Sequence, residues 1–200
     1  MSTLPIHYAL AAVDIDGFGT RSDADQQWLR DRMYELLRDA ADGAGICWKR
    51  CHRVDRGDSV VLLIPAQVSK VTVAGGFVRE LRAGLRTHNR RSREPVAMRL
   101  RMALHAGEVS DDGKNWVGTE LNTVCRLVDL PQLRQALTGA DLALCVSDLW
   151  FRTVIQQHPG LVDHLRYVPI VVQVKELDGR AWLRLPDLAE PPGNDLHLAS

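Results

Sequence analysis

The sequence predicts an α+β fold, with one largely antiparallel or mixed sheet and helices packed on one face of it. Three observations lead there. Short apolar or alternating runs at 6–15, 59–65 and 97–109 have the character of strands. Segments with apolar residues at helical spacing separate them. Turn-forming residues join neighbouring strands as hairpins rather than as long crossovers. The 200 residues are enough for one domain with a sizeable core, and 46% hydrophobic with 25% charged residues is ordinary for a soluble globular protein.

The elements follow in order. Residues 6–15 (IHYALAAVDI) form an apolar strand that ends on carboxylates. In the next segment Leu29, Met33, Leu36, Leu37 and Ala40 share a helical face, with Ser22 or Asp23 as cap and Gly43 and Gly45 as stop. Residues 46–54 and 59–65 form a hairpin around Asp55, Arg56, Gly57 and Asp58. A helix over 69–87 buries Val73, Phe77, Val78, Leu81 and Leu85, and the basic run 88–95 follows as a solvated loop. In 97–109, Met98, Leu100, Met102 and Leu104 alternate with Arg99, Arg101, Ala103 and His105, which predicts a strand with one apolar face. Residues 111–115 make a turn, and 118–137 a helix broken near Pro131. A short strand at 143–146 leads to a helix over 147–160 capped by Ser147. Strands 166–177 and 180–186 close the domain as a hairpin around Asp178-Gly179. This order is ferredoxin-like. The domain spans 1–186, and 187–200 is acidic, Pro-rich and aperiodic, as expected of a flexible tail.

Composition excludes several classes. The 25 basic and 25 acidic residues cancel, so no global charge favours nucleic acid or an anionic membrane as partner. The N-terminus lacks a basic segment and its apolar run is interrupted by aspartates, unlike a signal peptide, and no run is long enough to span a bilayer. A cytoplasmic protein is expected. Cys47, Cys51, Cys125 and Cys145 have no paired zinc-site spacing and read as reduced thiols.

Three groups of residues carry chemistry. Asp14 and Asp16 stand at a strand end just before Gly17, which suits either a plain Asp-Gly turn or a divalent cation held by oxygen ligands. Asp58 lies in the 46–65 hairpin turn beside Gly57. If that turn adjoins the first strand, Asp14 and Asp58 can share a metal pair suited to in-line displacement at phosphorus. Asn122 and Arg126, four apart on a helix, share a face and can orient a ribose and meet phosphoryl charge. Alone they equally suit a solvated helix surface.

Together, DIDGFG, the RGD hairpin turn, LRMALHAGEV and GTELNTVCR resemble the class III nucleotide cyclases over about residues 8–185. The resemblance implies that Asp14 and Asp58, with the carbonyl of Ile15, bind two divalent ions, Mn²⁺ or Mg²⁺. It makes Asn122 the ribose-positioning residue, Arg126 the transition-state residue and Lys175 the triphosphate-binding lysine. It also implies a head-to-tail homodimer, in which each site takes its metal residues from one chain and its Asn and Arg from the other.

Two positions depart from the purine-specific members. Val54 stands where adenylate cyclases of this family carry a base-reading Lys, and Asn115 where they carry an Asp. A site that reads a base by hydrogen bonds loses that reading when the partners go. In this the chain resembles the small pyrimidine cyclases of bacterial Pycsar antiphage systems, which activate a separate cyclic-nucleotide effector. UTP, then CTP, is the expected substrate, and the Asn115 amide offers both a donor and an acceptor. The competing expectations are an adenylate or guanylate cyclase with an unusual base pocket, and an inactive cyclase-like sensing or dimerisation module. A diguanylate-cyclase relationship is disfavoured, because residues 54–59 read VDRGDS where that family has a GGDEF-type hairpin.

Overall fold

β1 (Ile6–Ile15) is the axis of the fold, because both of its faces are buried. The structure is a computed structural model that describes residues 4–92, 96–174 and 177–184. On one side, Ala9, Ala11, Val13 and Ile15 join a core with α1 (Asp23–Gly43). On the other, Tyr8, Leu10 and Ala12 join a second core. This differs from the expectation of helices on one face. The reason is the composition of β1, which is apolar at successive residues rather than at alternate ones, the pattern of a strand buried on both sides.

β1 pairs antiparallel with β3 (Ser59–Pro65) and with β4 (Leu100–Asp111). β2 (His52–Asp55) extends the sheet beyond β3. On the far side β4 pairs in parallel with β6 (Leu142–Ser147), followed by β8 (Leu177–Arg184) and the edge strand β7 (Tyr167–Val174). The short β5 (Trp116–Val117) folds back on β4. One parallel pair among antiparallel ones makes the sheet mixed.

The first core takes α1, α3 (Val78–Arg91) and α6 (Asp148–Trp150). A short helix, α2 (Lys70–Thr72), and a π turn over Val73–Phe77 lead into α3. The second core takes α4 (Thr119–Val128) and α5 (Pro131–Gln135). The break between them falls where Pro131 opens α5, as the sequence predicts. Ser22 and Ser147 cap α1 and α6 by accepting the amides of Asp25 and Trp150.

Several boundaries differ from expectation. Residues 46–51 are not strand. The Ile46 amide donates to Ala41 at the end of α1, and Trp48–Arg50 forms a 3-10 turn, so these donors are not available to a ladder. Residues 88–91 are not loop but the last turn of α3. His88 is buried there, and Asn89 exchanges side-chain hydrogen bonds of 2.8 Å with the backbone of Met98. Asp178 and Gly179 are not the turn of the closing hairpin but residues of β8, paired with Gln173 and Val172. The hairpin register sets Val168, Ile170 and Val172 opposite Leu183, Ala181 and Gly179 over the second core, which draws 178–179 into β8. Lys175, the 187–200 tail and residues 93–95 of the basic run lie outside the described residues. Among the described residues no helix is long and apolar enough to cross a membrane.

The second covered face has a direct consequence. Leu133 of α5 is fully buried there, so Leu133→Ala should cost about 2–5 kcal/mol in urea unfolding. A cost within about 0.5 kcal/mol, as for a surface site, would show that α5 does not cover the sheet.

Candidate active site

The C-terminal end of β1 and the β2–β3 turn meet at one place. Asp14 pairs with Ser59 in the ladder, and the Ile15 amide donates to the Asp58 carbonyl at 3.1 Å. The turn is held from several sides. Asp55 accepts from the Gly57 amide at 2.9 Å, from the Tyr34 hydroxyl at 2.7 Å and from Arg30. Gly57 has φ +91°, which a side chain rarely adopts, so the turn depends on glycine there. Arg56 reaches the Cys125 thiol on α4 at 2.9 Å.

Asp14 and Asp58 line one cavity of about 380 Å³ with Arg56, Arg101, Asp129 and Arg134. Asp14 is 5% exposed, and Arg101, equally buried, donates to its Oδ2 through Nε at 3.0 Å and through Nη2. A further Arg101 bond of 3.3 Å goes to the Val128 carbonyl near the end of α4. Burial raises the Asp14 carboxyl to about 6. Arg101 opposes that rise, and the neighbouring Asp58 and Asp129 add to it.

These residues fit a hard divalent cation. Both Arg101 contacts fall on Oδ2, which leaves Oδ1 of Asp14 for a second partner beside Asp58. Burial is the main cause of the raised Asp14 pKa, and the nearby Asp58 and Asp129 carboxylates add to it; a cation would relieve both. Among the described residues no three His, Cys, Asp or Glu side chains converge on one metal position. One or two carboxylates are what an ion that keeps waters and takes substrate phosphates as ligands would use.

The other sequence-predicted residues stand apart from this cavity. Asn122 is exposed and Arg126 half-buried, both on α4, and neither lines it. Val54 is half-buried on β2 and packs against the second core. Asn115 is exposed in the β4–β5 turn, where its backbone N–H donates to the Asp112 carboxylate at 2.7 Å. Asp16 ion-pairs with Arg99 at 3.0 Å and so shapes the strand end. Arg101 was missed as a functional residue. Strand alternation puts it on the same face as Ala103 and His105, and a cation there on a central strand, next to one ending in Asp14, was the available signal.

The fold these elements build is that of the class III adenylate/guanylate cyclase catalytic domains. The guanylyl cyclase Cya2 superposes with a TM-score of 0.63 at 14% identity, over 97% of this chain and 98% of that one. The adenylate/guanylate cyclase/hydrolase from Silicibacter pomeroyi superposes with a TM-score of 0.64 at 19% identity, over 94% and 100%. A bacterial light-regulated adenylyl cyclase gives a TM-score of 0.62 at 11% identity, over 94% of this chain and 56% of that one. No protein-family profile and no curated protein sequence matches the chain significantly.

Arg101 and Asp14 generate a pH-dependent prediction. The Asp14 carboxyl is raised from 3.8 to about 6 in the folded state, so folding favours its protonated form, and the associated stability is lost as pH rises through that range. Removing Arg101 would raise the folded value further and extend the loss to higher pH. Arg101→Met should therefore cost about 3 kcal/mol at pH 8, where a charge is left buried and unpaired, and clearly less at pH 5. Urea unfolding at the two pH values checks this. An equal cost at both would mean that Arg101 does not hold the charge of Asp14.

Proposed function

We propose that the protein is a metal-dependent nucleotide cyclase that converts an NTP to its 3′,5′-cyclic monophosphate and pyrophosphate. The observation that carries this reading is the pair Asp14 and Asp58 facing one cavity with Arg101, on a fold shared with adenylate and guanylate cyclases. Divalent cations bound at Asp14 and Asp58, with the carbonyl of Ile15, would lower the pKa of the ribose 3′-hydroxyl and neutralise phosphate charge. Arg56, Arg101 and Arg134 add positive charge to the cavity where a triphosphate would lie. The 3′-oxygen attacks the α-phosphorus and pyrophosphate leaves. Asn122 holds the ribose, and Arg126 meets the charge that grows in the transition state.

Asn122 and Arg126 lie outside the carboxylate cavity of their own chain, which supports a head-to-tail homodimer with composite sites. Lys175 completes the proposed set as a triphosphate ligand. UTP, then CTP, is the favoured substrate, since Val54 has no donor or acceptor for a purine edge and the Asn115 amide has both. In this reading the product signals to a separate cyclic-nucleotide-activated effector, as in Pycsar antiphage defence, and the enzyme acts in the cytoplasm. The solved structures that share the fold include adenylyl and guanylyl cyclases, which makes a purine substrate the second reading.

The test is purified protein incubated with each NTP and Mn²⁺, with products identified by mass spectrometry. Cyclic UMP should lead, with cyclic CMP next, and cyclic AMP or cyclic GMP in their place would establish the purine reading. Asp58→Ala should abolish product, and Arg126→Ala should lower the rate by about 10²–10³. No cyclic product from any NTP would overturn the cyclase assignment.

A further inference from the structure

α4 carries Asn122 and Arg126, and β4 grips it near both ends through buried polar side chains on one face of the strand. At the C-terminal end Arg101 donates to the Val128 carbonyl. At the N-terminal end the contact is between His105 and Glu120. His105 is 5% exposed, and its Nε2 lies 2.5 Å from Glu120 Oε2. A carboxylate only accepts, so Nε2 carries the proton. The other ring nitrogen, Nδ1, lies 2.8 Å from the Ser147 hydroxyl, which is fixed in turn by capping α6. The imidazole is therefore held from β6 and aimed at the first turn of α4.

The backbone makes room for this contact. A Cβ on Gly107 would stand 2.3 Å from Glu120 Cγ and 2.8 Å from its Cβ, so the Glu120 side chain lies across strand residue 107 only because that residue is glycine. Gly118, just before the helix, also packs closely, since a Cβ there would stand 3.2 Å from the Glu108 carbonyl. The start of α4 thus has no side-chain cap but has a carboxylate anchored to a buried histidine.

We infer that Glu120 is a positioning residue for the proposed cyclisation, setting through His105 the rotation of α4 and hence the place of Asn122 and Arg126. The assignment rests on the function proposed above. At 3.6 residues per turn Glu120 and Asn122 point about 200° apart, so a tether on one side of the helix fixes the direction of the other. A side-chain tip stands roughly 6 Å from the helix axis, so a rotation of about 10° moves it about 1 Å. A misplacement of that size costs about 10²-fold in rate where geometry is demanding.

The experiment measures kcat and KM for the wild type, Glu120→Ala, Glu120→Asp, Glu120→Gln and Gly107→Ala with the NTP that the wild type cyclises. Thermal melts and size-exclusion elution establish that the variants compared are folded and assembled. Glu120→Ala should lower kcat by about 10²-fold with KM changed by no more than about twofold, the mark of an interaction realised in the transition state. Glu120→Asp keeps the charge but loses the reach to His105, and should fall with Ala, which carries the test if Glu120→Ala folds poorly. Glu120→Gln keeps an acceptor for Nε2–H and should retain kcat within about fivefold. Gly107→Ala leaves Glu120 in the chain but expels it from its place, and should reproduce the loss. Wild-type kcat in Glu120→Asp, or a Gln variant as impaired as Ala, would overturn the positioning role while leaving the cyclase reading intact. A wild type that cyclises no NTP would overturn both.

Discussion

A carboxylate on a central strand, buried to within 5% of full enclosure, must be paired, and Asp14 is paired with Arg101. The isolated charge would cost several kcal/mol, and the guanidinium offsets much of it without removing it, which is why the Asp14 carboxyl still sits at about 6. The pair joins β1 to β4, the two adjoining strands around which the rest of the sheet is arranged. Arg101 also reaches the last turn of α4, so one side chain links the acidic end of the sheet to the helix that lies over it. An aliphatic pair of similar volume could give comparable stability here. It would leave neither acceptor oxygens nor positive charge in the cavity.

From that pair the arrangement of the site follows. Asp14 has one oxygen turned to Arg101 and the turn of Asp58 beside it, held by Asp55, Tyr34 and Arg30. The acidic cluster is thus built on a strand end and a braced turn rather than on a loose loop, which suits positions that must be held to a fraction of an ångström. The same face of β4 that presents Arg101 presents His105 four residues on, and the two fix α4 near its opposite ends. The strand thus links the Asp14/Asp58 cavity to the helix that carries Asn122 and Arg126, neither of which lines that cavity.

Much of this was legible in the sequence, and the failures are physical ones. The order of strands and helices, the break at Pro131 and the serine caps follow from local periodicity and capping chemistry, which tertiary contacts here did not override. The closeness of Asp14 to Asp58 needed only that β1 pair with β3. The second helical layer was missed because Arg101 and His105 made β4 look half-solvated, when each is buried with a partner distant in sequence. Residues 88–91 looked like a loop by charge, but cations are favoured at a helix C-terminus, and Asn89 binds the backbone of Met98. The Asp178-Gly179 signal was real local chemistry, outweighed by the eight-pair register of β7 and β8.

The central claim is that this chain holds two halves of different active sites, joined by β4. The most direct measurement mixes Asp58→Ala with Arg126→Ala protein, each inactive or nearly so alone. In a symmetric dimer with composite sites, a mixed dimer regains one intact site, so an equal mixture should recover about a quarter of wild-type activity. A mixture no more active than its two components would contradict the account.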